Sequence, residues 1–382
     1  MPVLPRKLPN AGTTIFSRMS QLALEAGAIN LGQGFPDFDP DPALVEAVHR
    51  AMREGHNQYP AMAGLPLLRE RLATKLHLQH GRAYDPALEL TISAGGTQAI
   101  YTALQCLLEA GDEALLLEPA FDSYAPAVYA AHAHPVGVPL DEVYRPDWQR
   151  VATAITPRTR VILVNSPHNP SGRVFDDADL DALHQLAERH DLAVISDEVY
   201  EHMVFDGRPH CSVARHEGLA ARSFIVGSFG KTFHVTGWKV GYVAAPAPLT
   251  AAFRALHQYT VFTVNPAVQK GLADHLQDAA HWQGLAPFYQ AKRDRFRAGL
   301  AGTRLRLLSC EGSYFQTVDY HALSNLPETE FADWLTREVG VAAIPLSVFY
   351  SQPQERGHVR FCFAKRDATL DEALRRLQGA LA

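Results

Sequence analysis

The sequence predicts an α/β protein with a mostly parallel central sheet in a large domain and a smaller α+β domain after it. Between about Asp41 and Ala245, short apolar runs alternate with helical patterns, as expected for strands covered on both faces by helices. Near Pro266 the texture changes: a long charged helical stretch, QAKRDRFRAGLAG, gives way to short strand patterns. A chain of 382 residues also exceeds one ordinary core, since domains commonly hold about 100–200 residues. The expected division is residues 1–40 as a proline-rich, irregular segment packing with the small domain, 41–265 as the large domain and 266–382 as the small one.

The elements follow in order. DPALVEAVHRAM reads as a helix with Asp41 as cap, Pro42 in the first turn and Leu44, Val45, Val48 and Met52 on one face. LTIS is a strand that passes through two glycines into TQAIYTALQCLLEAG. There Ile100, Ala103, Leu104, Leu107 and Leu108 keep helical spacing as far as Gly111. ALLLE (114–118), RVILVN (160–165), LAVIS (192–196) and SFIVGS (223–228) are buried strands, with DLDALHQLAERH a helix between two of them. In the last third, YFQTVDY and HVRFCFA are strands, and DATLDEALRRLQGALA is a closing helix with Asp367 as its expected cap.

Composition narrows the function. The hydrophobic fraction is 47% and the charged fraction 20%, values of a globular protein. A net charge of -6 without lysine- or arginine-rich blocks argues against a nucleic-acid partner. Cys106, Cys211, Cys310 and Cys362 are scattered, with no paired spacing and no histidine cluster, so neither a disulfide frame nor a metal site is expected. MPVLPRKLPN lacks the apolar core of a signal peptide, and no apolar run reaches membrane-spanning length. A cytoplasmic protein with no membrane partner is expected.

Four polar loops fall at the carboxyl ends of predicted strands, where parallel α/β sheets bind ligands. SAGGTQ (93–98) is a strand–glycine–helix junction whose free N–H groups suit a phosphate, although an ordinary tight turn has the same look. NSPHNPSG (165–172) fixes Asn169 between His168 and Pro170; a lone loop histidine such as His168 is expected to face solvent. SDEVYEH (196–202) ends an apolar strand with Asp197, which either caps the next helix or meets a cation. SFGKTFHVTGWKVGY (228–242) carries Lys231 and Lys239. Its S-x-x-K does not make a serine β-lactamase, because the partner S-D-N and K-T-G elements are missing.

One ligand uses all four loops: pyridoxal 5′-phosphate (PLP). It needs an amine, a phosphate cup, a carboxylate for its ring nitrogen and donors for its ring oxygen. Lys231 offers the amine, Gly96, Thr97, Ser228 and Lys239 the cup, Asp197 the carboxylate, and Asn169 and Tyr200 the donors.

In these loops, and in INLGQGFPDF, NQYPAMAGLPLLRE, EPAFDSYAP, CEGSYF and VRFCFAKRDATL, the chain resembles the class I/II aminotransferases of PLP fold-type I. The likeness runs from about Thr13 to the C-terminus and points to the branch of kynurenine/glutamine and bacterial methionine aminotransferases. It implies that Lys231 forms the Schiff base and moves the substrate proton, while Asp197 keeps the ring nitrogen protonated. Phe121 would stack on the ring. Arg360 would clamp the substrate α-carboxylate, helped by Asn169 and the backbone near Gly34. Phe16, Tyr124 and Phe262 would stand near the substrate side chain. Tyr59 would reach the phosphate of a neighbouring subunit, making a homodimer with shared active sites.

Two departures matter. Lys239 stands where many relatives have arginine, and Thr263 follows Phe262 where the kynurenine branch often has histidine. The second leans away from kynurenine. The resemblance therefore implies transamination between an apolar or aromatic L-amino acid and a 2-oxo acid. The alternative is a cysteine-conjugate carbon–sulfur β-lyase on the same scaffold. A PLP-binding regulator domain is disfavoured, since only a short segment precedes the match.

Overall fold

The computed structural model describes residues 8–9, 12–352 and 354–382. Helix α1 (Ile15–Glu25) is capped by Thr14, whose hydroxyl accepts the Ser17 N–H. The segment before Asp41 is therefore not irregular throughout. The prolines behind that reading lie mainly in MPVLPRKLPN, most of which falls outside the described residues.

Helices α2 (Pro42–Arg53), α3 (Pro66–His80) and α4 (Gly96–Leu107) follow. Asp41 caps α2 as expected, accepting the Ala43 N–H at 2.8 Å. The buried face is different: Leu44, Ala47, Val48 and Ala51 are inside, whereas Val45 and Met52 are each 45% exposed. The cause is close packing against the helix Pro266–His275, where a Cβ on Gly271 would sit 2.5 Å from Val48 Cγ2. A seam that tight takes alanines and leaves the bulkier side chains out. Helix α4 stops short of Gly111, because Leu108 is already extended at φ -114° and ψ 136°.

Strand β1 (Ile29–Asn30) precedes the main sheet. That sheet comprises β2 (Leu90–Ser93), β3 (Glu113–Glu118), β4 (His134–Pro139), β5 (Thr159–Asn165), β6 (Ala193–Asp197), β7 (Ser223–Gly227) and β8 (Gly241–Ala244). Their order is β2-β8-β7-β6-β5-β3-β4. Strand β8 runs antiparallel to both neighbours, and the remaining pairs are parallel. The carboxyl ends of β2, β5, β6 and β7 thus lie along one edge, beside the start of β8. That edge carries the four polar loops.

The last third holds β9 (Arg306–Leu307), β10 (Phe315–Asp319), β11 (Val341–Ala342), β12 (Ile344–Pro345) and β13 (His358–Cys362). Four of these form an antiparallel sheet in the order β12-β13-β10-β9, and β1 pairs in parallel with β11. The closing helix Asp367–Leu381 has Arg366, not Asp367, at its cap position. The Asp367 carboxylate instead accepts from Lys292 Nζ at 2.9 Å, tying this helix to Leu285–Leu300. Among the described residues, no helix is long and apolar enough to cross a membrane.

Candidate active site

The edge of the main sheet opens into a cavity of about 330 Å³ reached by elements from both ends of the chain. At one end β2 leads through Gly95, at φ +82°, into the first turn of α4 at Gly96 and Thr97. A Cβ at Gly95 would lie 3.4 Å from Lys239 Nζ, so the bare glycine lets that amine sit over the loop. Lys239 itself holds φ +53°, a conformation uncommon for a residue with a side chain. Ser228 caps the short helix Phe229–Thr232 by accepting the Lys231 N–H at 3.3 Å. Gly96, Thr97, Ser228 and Lys239 all line this end. Free helix N–H groups, a hydroxyl and an ammonium make an anion cup.

The floor is built where β5 and β6 end side by side. Asn165 is in register with Asp197 and donates to its carbonyl at 2.8 Å. Asn165 Oδ1 in turn accepts the Asn169 N–H at 2.8 Å. The Asp197 side chain is buried; it accepts the Tyr124 hydroxyl at 2.5 Å and the Val199 N–H at 3.2 Å. Burial pushes its carboxyl up to about 6, against the opposing effect of those donors. Among the described residues no cation is in contact with it. The cap expectation is met only by the Val199 contact, and no helix follows.

Tyr124 lines the cavity, but its hydroxyl is committed to Asp197. The hydroxyl supports the carboxylate while the residue stays on the cavity lining, where the sequence places it. Phe121 stands beside it with ring centroids 5.8 Å apart, and Phe16 lies 6.3 Å beyond. Tyr200 is buried, and its ring lies 5.8 Å from Lys231 Nζ.

Lys231 projects its amine across the cavity. Nζ donates to the Tyr314 hydroxyl at 2.9 Å and to the Gly34 carbonyl at 3.2 Å, and the Tyr314 hydroxyl donates to the same carbonyl at 2.7 Å. Burial brings the Lys231 amine down to about 8. Opposite, β13 delivers Arg360, 1% exposed, with its guanidinium 3.9 Å from the Phe315 ring centroid. Nη1 donates to Asn169 Oδ1 at 2.6 Å and Nη2 to the Gly32 carbonyl at 2.7 Å. Nε is buried without a partner among the described residues. A fork so fixed, with an unused donor, is made for a carboxylate.

Two further expected residues lie on the surface. Phe262 is 37% exposed and Tyr59 82% exposed; their rings meet edge to face at 5.3 Å and do not line this chain's cavity. Phe262 is therefore no wall of its own subunit's pocket. His168 is buried rather than solvent-facing, held between Ser171 Oγ at 2.7 Å and the Pro119 carbonyl at 3.0 Å. Tyr314 and Phe315 belong to CEGSYF, and nothing in their spacing says that they meet Lys231 and Arg360. Elsewhere, Asp41, His275 and His281 approach one another. The two imidazoles stack at 3.6 Å and 3°, so their lone pairs run side by side instead of converging on an ion.

The cavity fits PLP. The cup suits its phosphate, and the buried carboxylate without a cation suits a protonated ring nitrogen. The cavity volume also lies within the ordinary range for ligand sites of about 300–1,000 Å³. The sequence from residue 26 to 377 matches the family model for aminotransferase class I and II. The chain belongs to the class I and II aminotransferases. It is a PLP-dependent enzyme acting on amino acids and 2-oxo acids.

Among these aminotransferases, the methionine aminotransferase of Escherichia coli is 46% identical over 380 residues, covering 99% of this chain and 98% of the relative. A solved E. coli structure reported to identify a methionine aminotransferase function superposes with TM-score 0.96, covering 99% and 100% of the two chains at 46% identity. A probable N-succinyldiaminopimelate aminotransferase of Mycobacterium tuberculosis is 42% identical, over 96% of this chain and 95% of its own length. Kynurenine–oxoglutarate transaminase 1 of mouse is 34% identical, over 97% and 96%.

Proposed function

We propose that this aminotransferase prefers donors with an apolar or aromatic side chain, methionine, phenylalanine and tyrosine among them. The observation that carries this is the charge inventory of the cavity. Arg360 is the single arginine among the described lining residues, and it is the fork suited to the α-carboxylate. The lysines are Lys231 in the centre and Lys239 in the anion cup. What remains for the side chain carries no charge: Phe16, Phe35 and Ile100, with Gln33 and Thr236. Apolar contact is worth about 25 cal/mol per Å², whereas a second carboxylate would be buried without a partner. Both half-reactions use the same pocket, so apolar 2-oxo acids should also be the better acceptors.

In this reading Gly96, Thr97, Ser228 and Lys239 hold the phosphate, Asp197 the ring nitrogen, Asn169 and Tyr200 the ring oxygen, and Phe121 the ring face. Lys231 Nζ anchors the carbonyl carbon. When bound, the cofactor supplies an electron sink for charge left at the substrate Cα. Arg360 and the Gly34 backbone orient the substrate, and Lys231 Nζ takes the Cα proton and returns it on the other side of the exchange.

A donor panel at saturating 2-oxo acid tests the preference. The expected result is a kcat/KM for methionine and phenylalanine at least tenfold above that for aspartate or glutamate. N-Succinyldiaminopimelate, named for the M. tuberculosis relative, belongs in the panel. Its preference over methionine would overturn the pocket assignment and leave the family untouched. Pyruvate and ammonia from a cysteine conjugate would report the lyase reaction instead.

The working unit is read as a homodimer. Tyr59, Phe262 and the 90%-exposed Tyr259 leave aromatic surface uncovered on the single chain, which suits a subunit interface. Tyr59 then reaches the partner's phosphate. Tyr59→Phe is expected to weaken cofactor retention about tenfold, the effect of losing one hydrogen bond to a charged group. Dialysis against cofactor-free buffer measures it. A fully active monomer at assay concentration would sink the shared-site reading.

A further inference from the structure

Lys231 Nζ, the Tyr314 hydroxyl and the Gly34 carbonyl form a closed triangle of contacts at 2.9, 2.7 and 3.2 Å. Tyr314 is wholly buried, and its single hydroxyl proton is spent on Gly34. Towards Lys231 that oxygen can therefore only accept. The Gly34 carbonyl can likewise only accept. A neutral amine has two N–H bonds and one lone pair, so two acceptors on one side consume both hydrogens. The lone pair is left pointing away from them, which is towards the cavity.

We propose that Tyr314 is a positioning residue for Lys231: with its own proton locked on Gly34, it and that carbonyl take both N–H bonds of the neutral amine and aim the lone pair at the substrate Cα–H. The arrangement is the resting place of the amine whenever it is free of the cofactor. It rests on Lys231 being the reacting amine, which Lys231→Ala tests by itself. The partners are also unequal to rotation. Losing Tyr314 leaves one N–H without a fixed acceptor, and the lone pair then spreads over several directions.

The groups facing this triangle are known. Tyr200, Tyr289 and Cys362 surround Tyr314; Lys239, Arg360 and Asp197 act on Lys231 at longer range. Tyr314→Phe removes one oxygen and keeps the ring packing; of these groups, Tyr200 alone loses a hydroxyl neighbour. The acceptor it removes favours the ammonium form, so its loss should carry the amine lower still.

Two readouts separate positioning from simple support. In the full-length chain freed of cofactor, trace reductive methylation of the Lys231 peptide across pH, read by mass spectrometry, gives the amine's titration midpoint. Tyr314→Phe should lower that midpoint by about one pH unit, the scale of one hydrogen bond to a charged group. In the cofactor-loaded enzyme, kcat should fall about tenfold at unchanged KM, the order of a partly disabled proton transfer. The isotope effect with Cα-deuterated methionine should rise. Tyr289→Phe is the control, because its hydroxyl is buried without a partner among the described residues and its ring lies 5.9 Å from Tyr314. It should leave both readouts in place. An unmoved midpoint in Tyr314→Phe, or an equal shift in Tyr289→Phe, overturns the inference. Activity retained in Lys231→Ala would instead overturn the reading of Lys231 beneath it.

Discussion

Lys231→Ala is expected to abolish turnover, with a loss above about 10⁴-fold. Proton transfer by a positioned group is worth about 10²–10⁴ on its own, and in the proposed reading the same side chain also anchors the cofactor. Two structural facts single out this lysine. It stands in the first turn after β7 with its amine inside the cavity, and burial brings that amine to about 8, where a neutral fraction exists near physiological pH. Lys239, by contrast, is exposed and hangs over the Gly95 loop. Lys239→Ala should weaken cofactor binding and spare the chemistry once cofactor is saturating. The visible spectrum separates the two. The protein-linked cofactor band is lost in Lys231→Ala and kept in Lys239→Ala. The reverse pattern would show that the two lysines have been assigned the wrong way round.

Asp197→Asn is the second large effect, and its sign on stability is opposite to its sign on rate. Removing one member of a buried charge pair costs about 3–5 kcal/mol, which is about 10²–10⁴-fold in rate. Turnover should fall by that factor while cofactor remains bound through the cup. In the cofactor-free protein the argument inverts. The carboxyl sits at about 6 when folded, against about 3.9 in an unfolded chain. The folded state therefore holds the proton more tightly, and stability is lost as pH rises from about 4 through 6. Above that window the ionised group costs roughly 3 kcal/mol. Asparagine carries no such charge, so the cofactor-free variant should melt no lower than wild type at pH 8. A variant that is both unstable and nearly fully active would reduce Asp197 to a structural contact of Tyr124.

What was legible in the sequence was local. Strands end in Ser93, Asn165, Asp197 and Gly227 because apolar runs stop there, and each stop is visible without knowing the fold. Lys231, Asp197 and Asn169 follow from those stops. What was hidden depends on partners far along the chain. The Tyr124 hydroxyl finds a carboxylate 73 residues away, a partner that no periodicity encodes. Tyr314 meets Gly34 across 280 residues. The exposed Val45 and Met52 were drawn inward by hydrophobicity alone, since the tight seam at Gly271 lies on another helix. Asp367 looked like a cap because a carboxylate at a helix start usually is one; here Lys292 claims it.

The short run after β1 touches both Arg360 and Lys231. Gly32 gives its carbonyl to Arg360, and Gly34 gives its carbonyl to Lys231 and Tyr314. Two residues of extended chain reach no more than about 7 Å, so these two carbonyls cannot travel independently. The strand that holds them is pinned at its other end by pairing with Val341 and Ala342. A shift of one carbonyl therefore carries the other with it. In the proposed reading, the carbonyls that hold the recognition group and the reacting amine are joined by three residues of backbone.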